Sequence, residues 1–465
     1  MVRARTFLGV LIAAALASTC READAPAPAP APGAHSEPSK SVTVNVRTGW
    51  GRPVPDLKVF FHDAAGQVIE ESATNADGKA ASVGVTPAQV TVAMPEGETQ
   101  NNYLTWTSVA AGDELLARYA SPFGGGALLV TLPAVVPGAT DNQFQSGGWV
   151  LAGSCGGSTF WQPGEVGELQ VYDSCVGPRE TTTVLVVGPV NNPLPPTGDW
   201  FGFIRGATVP RPPDRLTYAL EKLQPGTDVV VNARGASPGA VVESFQLVQI
   251  ADGEGFVPGR SIRLGMPLRA APDFADAYLV AARYDRGRMV ARRYAPAPTI
   301  EFDLAGALPL ISDVGSSGEP RRPEVTWSSD ASLSDTDGGV VSLSFIYGNP
   351  GFCAGPGCES RPPYTPRRYG DWVFIVPPGT TSVKAPALPG QAVDVEWKNP
   401  SVSFIEAAAL PDPASFRRLA ARVLPPGMLF GGSFFSDVAL EGDIRTTSST
   451  WFSGLGYAET QVPPP

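Results

Sequence analysis

Histidine is almost missing from this chain of 465 residues: there are two, and His35 lies in an Ala/Pro-rich stretch near the start. His62 is therefore the one histidine in a segment with folding signals. A Ser-His-Asp triad would have to use it as the base. It precedes Asp63 at the expected start of a hairpin, with no nucleophile elbow near it. No HExxH or other zinc-binding set occurs either. The expected role is a strand-end histidine beside a turn aspartate, with no catalytic residues, no metal and no cofactor.

Lysine is scarce as well, confined to Lys40, Lys58, Lys79, Lys222, Lys384 and Lys398. Net charge is −11, and the pairs Arg321-Arg322 and Arg367-Arg368 are too short to form a basic stripe. Phosphate neutralisation needs clustered Lys/Arg, so nucleic acid is not an expected partner. No apolar run approaches the ~20 residues that span a bilayer. Charged residues make up 17% of the chain while Gly (51) and Pro (48) together exceed a fifth. With 43% hydrophobic residues, that composition builds cores linked by many turns.

What is present begins at the N-terminus. Arg3 and Arg5 precede the apolar run Phe7–Ile12, small residues follow, and Cys20 leads into an Ala/Pro alternation from Asp24 to Gly33. A basic start, an apolar middle and a small-residue stop is a secretory signal. A cysteine at that stop with a Pro-rich spacer behind it resembles a bacterial lipoprotein export signal. Lipidation of Cys20 is the expectation, with a signal at 1–19 and a tether at 20–40. Leu16 stands one residue early for the usual lipobox, and Thr19 fills its last small position. Cleavage after Ala15-Leu16-Ala17, giving a secreted or periplasmic protein, is the alternative.

Cysteine parity agrees with export. Setting Cys20 aside leaves Cys155, Cys175, Cys353 and Cys358, an even number. Local pairing, Cys155 with Cys175 and Cys353 with Cys358, is favoured among three connectivities. Neither pair is CxxC and no histidine lies near, so a zinc site is not expected.

The rest of the chain reads as all-β. Val42, Val44 and Val46 alternate with polar residues, and so do Leu57, Val59 and Phe61. Asp63-Ala64-Ala65-Gly66 and Asn75-Ala76-Asp77-Gly78 read as hairpin turns. Val68 and Ile69, then Val83 with Val85, then Val90 with Val92 continue the series. This order resembles a carboxypeptidase regulatory-like domain over about residues 41–120. The resemblance implies a transthyretin-like β-sandwich without catalytic residues, used in exported bacterial proteins as a spacer or adhesion-type module. Asp56 and Ala80 depart from that pattern, which commonly has a Gly and a larger apolar residue at these places.

Further modules are expected at 123–197, 198–318 and 319–465. Asn191-Asn192-Pro193-Leu194-Pro195-Pro196 reads as the clearest internal linker. Leu216–Leu223 fits a strand or a short helix. The last module weakly resembles a fibronectin type III-like, and so Ig-like, sandwich around Trp327 and Trp397. One helix is expected at 413–424, with Asp412 as N-cap and Pro413 at the first position. A faint echo between Leu132–Ala139 and Leu388–Ala392 defines no repeat period.

Two features could carry binding. The loop Ser328–Asp330 with Ser334–Gly338 is dense in carboxylates, but lacks the order of a calcium loop and reads as a solvated hairpin. Among nine tryptophans, Trp50 between two glycines is the best candidate for exposure and ligand contact, while Trp327 and Trp397 are expected in the core. The chain therefore reads as a row of consecutive β-sandwich modules on a lipid-tethered arm, probing a protein or glycan ligand from the outer membrane. A secreted glycan hydrolase using two carboxylates, or a carbohydrate-binding protein, is the rival reading.

Overall fold

The computed structural model describes residues 41–449, apart from short gaps and longer ones at 133–147, 171–179, 191–199, 257–265, 348–367, 390–400 and 411–441. The described residues form strands and the turns between them, with no helix among them. The fold is all-β, as the alternation predicts. The helix expected at 413–424 lies outside the described residues, as do all five cysteines, Trp50, Trp397 and Trp451.

The first sandwich holds β1 (Thr43–Thr48), β2 (Lys58–His62), β3 (Val68–Ala73), β4 (Lys79–Ala81), β5 (Gln89–Glu96), β6 (Gln100–Trp106) and β7 (Glu114–Tyr119). The second holds β8 (Ala127–Thr131), β9 (Gly148–Gly153), β10 (Gly156–Trp161), β11 (Gly167–Gln170), β12 (Thr181–Val190), β13 (Trp200–Thr208) and β14 (Arg215–Ala219), with the short β15 (Gln224–Pro225) at its edge. The third runs through β16 (Thr227–Arg234), β17 (Val242–Ala251), β18 (Glu254–Phe256), β19 (Leu268–Ala270), β20 (Ala277–Tyr284), β21 (Arg288–Tyr294) and β22 (Thr299–Asp303). The fourth contains β23 (Ile311–Glu319), β24 (Arg322–Ser329), β25 (Gly338–Tyr347), β26 (Arg368–Val376), β27 (Ser382–Lys384), β28 (Ser401–Ala409) and β29 (Ile444–Ser448).

One plan is used four times. With the strands of a sandwich lettered a to g, a small sheet runs d-a-g and a larger one c-b-e-f. The small sheets are β4-β1-β7, β11-β8-β14 and β19-β16-β22; in the fourth, β27-β24 is completed by the preceding strand β23. The larger sheets are β3-β2-β5-β6, β10-β9-β12-β13, β18-β17-β20-β21 and β26-β25-β28-β29. In the first three sandwiches a pairs antiparallel with d and parallel with g. The sequence shows no period because alternation and turns can be met by many different residues, so the plan repeats where the letters do not.

Each core follows from period-two burial. In the first, Val42, Val44 and Val46 meet Val59, Phe61, Val90, Val92, Leu104 and Trp106. In the third, Val229, Val231, Ile300 and Phe302 meet Phe245, Leu247, Val280 and Ala282.

Three of the larger sheets join edge to edge. β21 of the third sandwich pairs antiparallel with β29 of the fourth, and β26 of the fourth pairs parallel with β6 of the first. The result is one twelve-stranded sheet, while the second sandwich keeps a sheet of its own. Strands inside this sheet are apolar on both faces. β26 buries Trp372, Phe374 and Val376 on one side and Val373 and Ile375 on the other. Such a strand loses simple alternation and reads as a continuous apolar run.

Three local expectations are corrected by the pairing. Asn75–Gly78 is a turn, with Gly78 N–H donating to Asn75 O at 2.8 Å, but β3 and β4 lie in different sheets, so it is a corner rather than a hairpin. The run 191–196 joins β12 to β13, which pair in one sheet, so the second sandwich continues to β14 instead of ending at 197. A long hairpin connection and a linker between domains favour the same Pro/Asn composition, which is why sequence did not separate them. β23 spans the expected boundary at 318/319 and pairs with β24 beyond it. Leu216, which fitted either a strand or a helix, lies on the strand β14.

Candidate functional site

His62 ends β2 and is fully buried, beside the hairpin turn that Asp63 opens and Gly66 closes at φ +75°. Its Nε2 lies 3.0 Å from Thr91 Oγ1 on β5, which lies 2.8 Å from Thr105 Oγ1 on β6. The Trp372 indole on β26 donates to Thr105 Oγ1 at 2.8 Å. All four side chains are sealed from solvent, and they thread four consecutive strands of the twelve-stranded sheet. An indole N–H can only donate, so Thr105 accepts at that end; hydroxyl rotation then closes the chain in either direction.

The ring is held neutral. Burial pushes its pKa down to about 4, against the opposing effects of the Asp63 carboxylate and the Gly66 backbone; the Arg322 guanidinium pushes the same way as burial. A general base must reach the proton it removes, and no surface of His62 is open to a substrate. Among the described residues no group of three His, Cys, Asp or Glu side chains is placed to hold a metal. The structure gives the one histidine of the described residues a place in a buried fastener.

Other contacts strengthen the same seam between the first and fourth sandwiches. Thr107 donates to Ile375 O through its backbone N–H at 3.1 Å and its hydroxyl at 3.0 Å. Asp371 N–H donates to Asn102 Oδ1 at 3.1 Å. On the hairpin turn, Arg322 Nη2 donates to Ala65 O at 2.8 Å and Ala387 N–H to Gly66 O at 2.7 Å.

A second cluster joins the second and third sandwiches. Arg205 on β13 forms ion pairs with Asp252 at 3.1 Å and Asp276 at 3.5 Å, and donates to Phe274 O. Its guanidinium lies 5.9 Å from the Phe203 ring and 5.7 Å from the Phe274 ring. Thr183 donates to Asp252 at 2.7 Å. Under these groups Leu185, Val187 and Phe201 pack on Ala251, Phe256 and Phe274. Where the third sandwich meets the fourth, burial pushes the half-buried Arg283 below its usual pKa, with the buried Glu406 and the half-buried Glu243 opposing. None of these clusters was visible in sequence, since each brings together residues far apart in the chain that carry no motif.

Two of the three carboxylates of the acidic loop, Asp330 and Asp337, are occupied, while Asp335 is exposed. Asp330 accepts from Arg288 at 2.6 Å and from Leu310 N–H at 2.7 Å, and Asp337 accepts from Leu410 N–H at 2.7 Å. Trp106, Trp200 and Trp372 are buried, and so is Trp327, as its strand neighbours predict. Trp149 and Trp161 lie on β9 and β10.

Gly235-Ala236-Ser237-Pro238-Gly239 spells GxSxG. It connects β16 to β17, whereas a nucleophile elbow turns from a strand into a helix. Residues 236–240 themselves lie outside the described residues.

No protein-family profile and no curated protein matches the sequence. Among solved structures the chain is similar to the Bacillus anthracis TIE protein, at 8% identity and a TM-score of 0.16, over 57% of this chain and 50% of that one. A mutant of the shaft pilin spaA from Lactobacillus rhamnosus GG follows at 9% identity and 0.14, over 40% of this chain and 97% of that one. The native form of E. coli alpha-2-macroglobulin matches at 9% identity and 0.11, over 77% and 17%. The chain thus spans half the length of the first of these.

Proposed function

We propose that this chain is a non-catalytic lipoprotein of the bacterial cell envelope. Cys20 carries the lipid, residues 20–40 form the tether, and the sandwiches present a binding or scaffold surface to a protein or glycan. One observation carries the reading: among the described residues, His62, Asp330, Asp337 and Arg205 serve as fasteners. The single described histidine is sealed in a hydrogen-bond chain, Asp330 and Asp337 of the acidic loop are occupied by an arginine and backbone N–H groups, and Arg205 clamps two sandwiches. The sheet pairing d-a-g against c-b-e-f also supports a transthyretin-type sandwich for residues 41–122, in keeping with the carboxypeptidase regulatory-like resemblance. In sandwiches of this kind the loops at the two ends are free to vary and to bind.

Labelled palmitate tests the anchor: label on the parent protein and none on Cys20→Ala is the expected result. An unlabelled parent means simple secretion. A glycan array followed by a reducing-sugar assay tests the rest, and turnover of any bound glycan overturns the non-catalytic reading in favour of the carboxylate hydrolase.

A further inference from the structure

We propose that β1 is a tension-bearing strand, built to take a pull on the N-terminal arm in shear. The biological use of this property rests on the anchored reading above; the property itself does not. β1 is the first described strand after the arm, and it is the central strand of its sheet rather than an edge. On one side Thr43–Asn45 lie opposite Ala81–Lys79, antiparallel. On the other the whole of β1, Thr43 to Thr48, lies parallel to Glu114–Tyr119 of β7. Beneath it Val42, Val44 and Val46 are fully buried. Thr43 N–H donates to Asp113 O at 2.9 Å and Val42 N–H to Ser82 Oγ at 2.9 Å, so the point where the arm enters the body is itself tied on both sides.

The mechanical consequence follows from geometry. Ladder hydrogen bonds run across the strands. A pull along β1 from its N-terminal end therefore loads both ladders sideways and together, while the three valines resist sliding out of a closed core. An edge strand pulled outward gives up its bonds one after another. β3 is such a strand: it pairs only with β2, at the end of the twelve-stranded sheet. The same plan recurs in β8 beside β14 and β16 beside β22, where the first strand of a sandwich is again central and parallel to the g strand. Tension passing along the chain would meet this shear geometry in each of the three.

The full-length, unlipidated chain is held by its C-terminus in an optical trap and pulled through a click-reactive handle, placed either at Lys40, just ahead of β1, or at Ile69 on β3. Rupture of a fold under load follows its unfolding rate along the direction pulled. The expected result is a rupture force through Lys40 at least about twofold above that through Ile69, with equal melting temperatures for the two handled proteins. Equal or lower force through Lys40 overturns the proposal, and so does a first event that releases β1 alone. Palmitate labelling of Cys20 is independent of this measurement, so the anchor and the tension-bearing strand can fail separately.

Discussion

The Trp372 indole donates to Thr105 Oγ1 at 2.8 Å across a parallel strand pair whose members are 267 residues apart in the chain. This one bond ties the last sandwich to the first, and behind it Thr91 and His62 continue the chain to the hairpin turn. Removing one partner of a buried hydrogen bond strands the other. Trp372→Phe keeps most of the ring packing against Tyr103 and Phe374 but deletes the donor. It is expected to destabilise the seam by roughly 1–3 kcal/mol, read as a lower denaturation midpoint and faster amide exchange in β6 and β26.

His62 makes stability depend on pH with a defined sign. Its folded-state pKa is pushed from the ordinary 6.5 to about 4. Between these values the unfolded chain binds a proton that the folded chain refuses, so stability rises with pH through this window and is lost as pH falls. The loss is on the order of 3 kcal/mol by pH 4. Asp63, Gly66 and Arg322 all act on the ring, and their net effect leaves burial dominant. Urea titrations at pH 4, 5, 6 and 7 check the slope. His62→Gln should flatten it in that window.

Arg205 is the hub of the joint between the second and third sandwiches. Its ion pairs are partly exposed, so each contributes modestly, while its two ring contacts and the Phe274 carbonyl share the same guanidinium. Arg205→Ala is expected to lower stability by about 1–2 kcal/mol. Small-angle scattering should show a wider spread of dimensions while circular dichroism retains its β signal. Unchanged scattering would place the rigidity of the joint in the apolar contacts of Phe256 and Phe274 instead.

Gly78 sits at φ +69°, and an added Cβ would meet Val46 O and lie 2.9 Å from Val54 N. Gly78→Ala therefore strains the backbone and pushes on β1. A loss of about 2 kcal/mol in the unfolding of the first sandwich is expected, read by its thermal transition. Gly84 has φ +72° with open space around it, so Gly84→Ala should show only the smaller backbone penalty.

β1 was legible because its core face, Val42, Val44 and Val46, alternates with half-buried residues, and alternation is the direct record of that. β20 and β26 belong to a shared sheet that no run of residues announces. Burial on both faces erases the alternation that would tell which side faces which partner. His62 was legible as a strand-end residue beside a turn aspartate. Its sealing was not, because the chain that continues from it runs through Thr91 and Thr105 to the distant Trp372, and the distant Arg322 acts on its ring. The Arg205 and Arg283 clusters left no signal at all, since an isolated arginine in a strand has the same sequence whether it is solvated or clamped.

By itself the sequence determined the all-β class, the turn positions at Asp63–Gly66 and Asn75–Gly78, and the poverty of catalytic groups. These depend on local stereochemistry and composition, which a chain carries wherever it folds. Only the tertiary structure decided that one strand plan is used four times, that three sandwiches share a single sheet, and that the first is welded to the last. Edge pairing is made by backbone groups that every residue but proline has, so the choice of neighbouring edge is written in the closed three-dimensional packing and not in any run of side chains.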